Sequence, residues 1–109
     1  MDVFKQENVQ LLVRALMQCQ TETECAAFLE DLMTTREVLD LSQRIAVASQ
    51  LHAGGTCNQI AAAGGASSAT VSRVNRCYRY GAGGYRLVLE RLDGEEDSPD
   101  DHFSKESEQ

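Results

Sequence analysis

The stretch TCNQIAAAGGASSATVSRVNR, Thr56 to Arg76, decides the fold. Two short helices that meet at a sharp turn make three demands on a sequence. The first helix needs a small residue where the second crosses it, and Ala61 supplies one. The corner needs a glycine four residues later, because the backbone there takes positive φ, and Gly65 stands at that place. The second helix needs an apolar inner face, which Val71 and Val74 provide, three apart, with Ile60 opposite them on the first. The spacing predicts a helix-turn-helix over about residues 56–79.

What is left outside is short, polar and free of acids. Ser67, Ser68, Thr70, Ser72, Arg73, Asn75 and Arg76 fall on or beside the second helix, and Thr56 and Asn58 open the first. From Ile45 to Ser72 there is no formal charge. Such a helix can enter a groove walled by phosphates without repulsion. Serine and threonine hydroxyls bond phosphates or base edges, and arginine grips guanine O6 and N7 with two hydrogen bonds. The helix N-terminus adds partial positive charge. These nine residues are the candidate contacts to double-stranded DNA, with Thr56 and Asn58 anchoring the backbone.

The flanking sequence is helical throughout. Val9, Leu12, Val13, Leu16 and Met17 repeat at three and four, which predicts an amphipathic helix over Phe4–Cys19. Three capping boxes follow, Thr21–Glu24, Thr34–Glu37 and Thr56–Gln59, each opening a helix. The second of these helices should end near Ala53, at Gly54-Gly55. Ser67 caps a helix to about Tyr80, Gly81–Gly84 breaks it, and Tyr85–Leu92 forms the last. Six helices with short links make an all-α fold. The domain is assigned to residues 1–92, and 93–109 to an acidic tail expected to be disordered. With 109 residues the core is small, so the wide apolar faces of the early helices call for a second copy of the chain.

Whole-chain charge misleads here. The net −7 resides entirely in residues 93–109, which hold eight acids and one lysine; residues 1–92 balance nine of each sign. Between residues 73 and 92, Arg73, Arg76, Arg79, Arg86 and Arg91 stand against Glu90 alone. No apolar run approaches the roughly 18 residues of a membrane span, and the residues after Met1 do not read as a secretory signal, so the expected location is the cytoplasm. Cys19, Cys25, Cys57 and Cys77 lack metal-ligand spacing and read as free thiols; no metal site is expected. No nucleophile–base pairing or phosphate-cradling loop supports an enzyme.

The run IAAAGGASSATVSRV resembles the helix-turn-helix of bacterial repressors, and its TVSRV, Thr70–Val74, matches the lactose-repressor type. From Leu41 to Leu92 the chain resembles the tryptophan-repressor superfamily, in particular its YerC/YecD-type group. That resemblance implies an intertwined homodimer of six-helix chains, a transcriptional repressor whose two heads read major grooves about 34–36 Å apart. By position, Arg44 and Arg73 match the two arginines of that family's amino-acid pocket. The residue after the second arginine is glycine there and Val74 here, which crowds a flat ring. No cofactor is therefore expected, the alternative being tryptophan or a similar small co-repressor held by Arg44 and Arg73.

Individual residues admit plainer roles. Arg44 could pair with Asp40, one helical turn back. Cys57 is read as a small residue at the DNA-facing edge rather than a redox sensor, and Cys77 as facing the core or a dimer seam. Tyr78, Tyr80 and Tyr85 are expected to pack the last helices together, and His52 to sit at the solvent edge. The tail is either a solubilising extension or a mimic of nucleic acid that competes for the arginines. A rival overall reading is a module that docks a protein partner through the same helix pair; five arginines against one acid weigh against it.

Overall fold

A computed structural model of the chain describes residues 2–96. A 3₁₀ turn, Val3–Lys5, is followed by six helices: α1 Glu7–Leu16, α2 Glu22–Leu32, α3 Thr35–His52, α4 Cys57–Ala62, α5 Ser68–Tyr80 and α6 Gly84–Glu96. The fold is all-α, with no strand among the described residues.

The helix starts are set by local chemistry. At α2 the Thr21 hydroxyl accepts from the Glu24 amide at 3.0 Å, and the Glu24 carboxylate accepts from the Gln20 amide at 2.9 Å. Before α3, the Glu37 amide donates to the Thr34 hydroxyl at 3.2 Å and the Thr34 amide to the Glu37 carboxylate at 2.9 Å. At α4, Thr56 and Gln59 exchange the same pair of bonds at 3.1 and 2.9 Å. Each box satisfies amides that the first helical turn leaves without partners. All three boxes therefore act at the predicted places.

The chain divides after Asp40 into two compact units. The first contains no buried residue among those described. Leu12, Val13 and Leu16 of α1 are each about 40% exposed or more, and Leu32 and Leu39 are exposed as well. Its long predicted helix, Phe4–Cys19, is shorter in the structure. Asp2 caps the 3₁₀ turn by accepting from the Phe4 amide at 2.9 Å, and Gln6 is extended, which separates that turn from α1. The Cys19 thiol is pushed above its usual pKa, by partial burial first and the neighbouring Cys25 second. Its thiolate, the reactive form, is thereby disfavoured.

The second unit, from Leu41, holds the core: Val47, Ala48 and Leu51 of α3, Ile60 of α4, Val71, Val74 and Tyr78 of α5, and Leu89 of α6. Cys57, Ala61, Ala66 and Tyr85 pack against it half-buried. Four helices thus contribute to one small cluster that supports the helix-turn-helix. No polar side chain in it is buried without a partner.

α6 starts one residue earlier and runs four residues further than its sequence pattern indicated. Residues 93–96, assigned to the tail, are helical. A tertiary bond accounts for this: His52 at the end of α3 holds Asp93 at 3.1 Å, so the acidic run is pinned at its start. Residues 97–109, expected to be disordered, lie outside the described residues.

Candidate nucleic-acid interface

The corner of the helix pair has the predicted conformation. Gly65 has φ +91° and Gly64 +84°, values that residues with a Cβ rarely adopt. The side-chain amide of Gln43 on α3 donates to the Gly65 carbonyl, which fixes the corner to its support. Ser67 then caps α5. Its hydroxyl accepts from the Thr70 amide at 3.1 Å and donates to the Thr70 hydroxyl at 3.1 Å.

At about 100° per residue, Val71, Val74 and Tyr78 fall within a wedge of about 60° on α5. They are 1%, 2% and 8% exposed. Arg76 points almost directly away from that wedge, with Ser72 and Arg73 to its two sides, and all three are exposed. Packing therefore selects which residues of the helix stay available. Ser68 at the first turn is exposed too, as are Thr56, which caps α4, and Asn58 within it.

Two candidates are more engaged than the sequence indicated. Thr70 is half-buried, though its own hydroxyl hydrogen remains available after the bond from Ser67. Asn75 is half-buried, and its side-chain oxygen accepts from Arg79 Nε at 2.9 Å. It orients an arginine in the structure.

Arg44 does not pair with Asp40. Asp40 binds Arg36 instead, at 3.6 Å, an exposed one-turn pair of the kind worth at most about 1 kcal/mol. Arg44 lines an open depression of about 410 Å³ with Ala69, Thr70, Arg73, Val74 and Arg76. Among the described residues no carboxylate lies within ion-pair distance of Arg44, Arg73 or Arg76. The guanidinium groups suit an anion. Val74 also lines the depression, but its side chain is packed into the core and only 2% exposed.

Behind the helix pair, a polar clasp was not foreseen. His52 Nδ1 lies 2.7 Å from the Tyr78 hydroxyl, while Nε2 lies 3.1 Å from Asp93. Arg86 Nε donates to the Tyr78 carbonyl at 3.1 Å, and its guanidinium lies over the Tyr78 ring, 4.7 Å from the centroid. The clasp joins α3, α5 and α6. His52 is therefore not a solvent-edge residue; its side chain is 19% exposed. Tyr80 does not pack the last helices, being 82% exposed, whereas Tyr78 and Tyr85 do. Cys77 is exposed rather than in this chain's core, because it falls beside the inner wedge of α5. Cys57 packs partly against the core rather than standing at an outer edge.

A bihelical head with a glycine corner, an apolar inner face and an acid-free outer one defines the helix-turn-helix class. The match to the model of the Trp repressor protein family spans residues 7–93, and the chain belongs to that family, whose members are regulatory DNA-binding proteins and not enzymes. It is similar to the uncharacterized protein YerC of Bacillus subtilis (strain 168), 36% identical over 91 residues, or 84% of this chain and 88% of that one. It is similar also to the crystal structure of a TrpR-like protein from Eubacterium eligens ATCC 27750. That chain is 43% identical, with a TM-score of 0.75 over 83% of this chain and 93% of the other. A second crystal structure, from Staphylococcus aureus, is 35% identical with a TM-score of 0.76, over 85% and 95%. Among the described residues no helix is long and apolar enough to cross a membrane, and no cluster could hold a metal ion.

Proposed function

We propose that the protein is a sequence-specific transcriptional repressor of the cytoplasm that reads the major groove as a homodimer. One observation carries the reading. The outer face of α5 presents Ser68, Ser72, Arg73 and Arg76 with no carboxylate opposing the arginines among the described residues. Ser68 and Ser72 serve base edges or phosphates, Arg73 and Arg76 guanine or phosphate, and Thr56 and Asn58 the backbone. Ser67 and Thr70 form the cap at the groove-facing end, where the helix N-terminus favours a phosphate. Dimerisation is supported by the first unit, whose exposed α1 leucines have no core of their own to enter.

The test is a mobility shift on genomic fragments at low and moderate salt, with the native chain and with Arg73→Ala. Native binding should fall steeply as salt rises. If Arg73 holds a guanine with two bonds, the substitution should weaken the preferred site by about 1–3 kcal/mol and spare random sequence. Equal loss on every sequence would assign Arg73 to the backbone. No binding at low salt would overturn the reading and favour a protein partner.

A further inference from the structure

Three guanidinium groups line one depression, and the acidic run that balances them in sequence starts at Asp93, behind the helix pair. Among the arginines of the head, Arg79 is held by Asn75, and Arg86 by the carbonyl and ring of Tyr78. Arg44, Arg73 and Arg76 have no carboxylate within reach among the described residues. Residues 97–109 carry Asp97, Asp100, Asp101, Glu106 and Glu108 against Lys105. We propose that this acidic segment docks on the Arg44–Arg73–Arg76 depression of the head and holds it in competition with DNA. The competition, though not the docking, rests on the DNA-binding reading above.

The clasp determines where the segment leaves the fold. Asp93 is 3.1 Å from His52, and His52 is 2.7 Å from the Tyr78 hydroxyl on α5 itself. Asp97 is four residues beyond Asp93, at most about 14 Å of chain. Along the α5 axis, Arg73 lies five residues from Tyr78, about 7.5 Å, and Arg76 lies nearer but on the opposite face, so the segment must also pass around a helix about 10–12 Å across. Thirteen residues can span up to about 43 Å, which is ample for the carboxylates to reach the depression. Asp100 and Asp101, adjacent in sequence, can present two carboxylates to neighbouring guanidinium groups, as successive phosphates would. An aromatic ring, Phe103, follows two residues later. The charges are complementary and the segment is long enough to reach around α5.

The magnitude follows from mass action. A segment on the same chain faces its target at an effective concentration on the order of 1 mM. If the contact has a dissociation constant of about 0.1 mM, the weak end of non-specific phosphate binding, DNA affinity falls about tenfold. The effect should shrink as salt screens both partners.

The experiment keeps the full chain and neutralises the segment with Asp97→Asn, Asp100→Asn, Asp101→Asn, Glu106→Gln and Glu108→Gln together. Two readouts separate the docking from the DNA reading. In the absence of DNA, NMR of the arginine Nε–Hε groups should show Arg73 and Arg76 shifted between the native and neutralised chains at low salt. With a random-sequence duplex, the neutralised chain should bind about tenfold tighter at 50 mM salt, the gap closing at several hundred millimolar. Unchanged arginine resonances would overturn the proposal whatever the duplex showed. Shifted resonances with equal duplex affinity would overturn the competition. Shifted resonances with no duplex binding by either chain would support the docking and overturn the DNA reading instead.

Discussion

Replacing Gly65 isolates the backbone cost of the corner from every other effect. Gly65 has φ +91°, and a Cβ built on it meets no atom within 4 Å. Gly65→Ala therefore introduces no clash, and its cost is conformational alone, about 1–2 kcal/mol for an L-residue held at positive φ. The unfolded chain loses freedom when glycine is removed, which returns about 0.4–1 kcal/mol. The net loss should be about 1 kcal/mol. The corner cannot escape by rotating, because Gln43 holds the Gly65 carbonyl. A D-alanine at the same position, installed by chemical ligation at Cys57, favours positive φ and should match or exceed the native stability. Urea unfolding at one fixed protein concentration reads both variants, and in a thermal scan 1 kcal/mol corresponds to about 4–8 °C for a domain of this size. Equal destabilisation by L- and D-alanine would refute the reasoning, since it would locate the cost in something other than handedness.

Two other outcomes follow from the clasp and from the first unit. Tyr78→Phe removes the hydroxyl 2.7 Å from His52 Nδ1 in a half-buried site, which should cost about 0.5–1.5 kcal/mol. Paired with His52→Ala in a double-mutant cycle by urea unfolding, it should show coupling of at least about 0.5 kcal/mol; additive losses would dissolve the clasp as a unit. Leu12→Glu places a charge on the exposed apolar face of α1 and should shift the chain from dimer toward monomer in sedimentation velocity at micromolar concentration. A native chain that sediments as a monomer throughout would rule out the dimer.

The features legible in the sequence are those whose cause lies within about four residues. Thr34 and Glu37 cap one helix start, Ser67 caps α5, and Gly65 turns the corner, each announced by residue type at fixed spacing. The inner face of α5 belongs to the same class, and Tyr78 extends Val71 and Val74 at an interval of four. The same interval excludes exposed Tyr80, which a reading of the sequence groups with Tyr78 as a packing residue. The clasp had no such signal. His52 and Tyr78 are 26 residues apart, and His52 and Asp93 are 41 apart, so only packing brings them together. The length of α6 was hidden for the same reason: its polar last turn has no apolar periodicity, and Asp93 is held by a distant histidine. Asp40 shows a further limit. It has an arginine one turn away on each side, Arg36 and Arg44, and spacing alone could not choose between them.

The two faces of α5 are linked by this division. Its inner wedge is occupied by two valines and a tyrosine ring, so side-chain packing sets the rotation of the helix about its axis and with it the direction of Arg73 and Arg76. The tyrosine adds what a third aliphatic residue could not, a hydroxyl that reaches His52 and, through it, Asp93. The buried face of α5 thus sets the rotation of the helix and, through Tyr78, ties it to α6. Tyr78→Phe would keep the ring that fills the wedge and remove only the hydroxyl bond to His52, while the bond from Arg86 to the residue-78 carbonyl would remain.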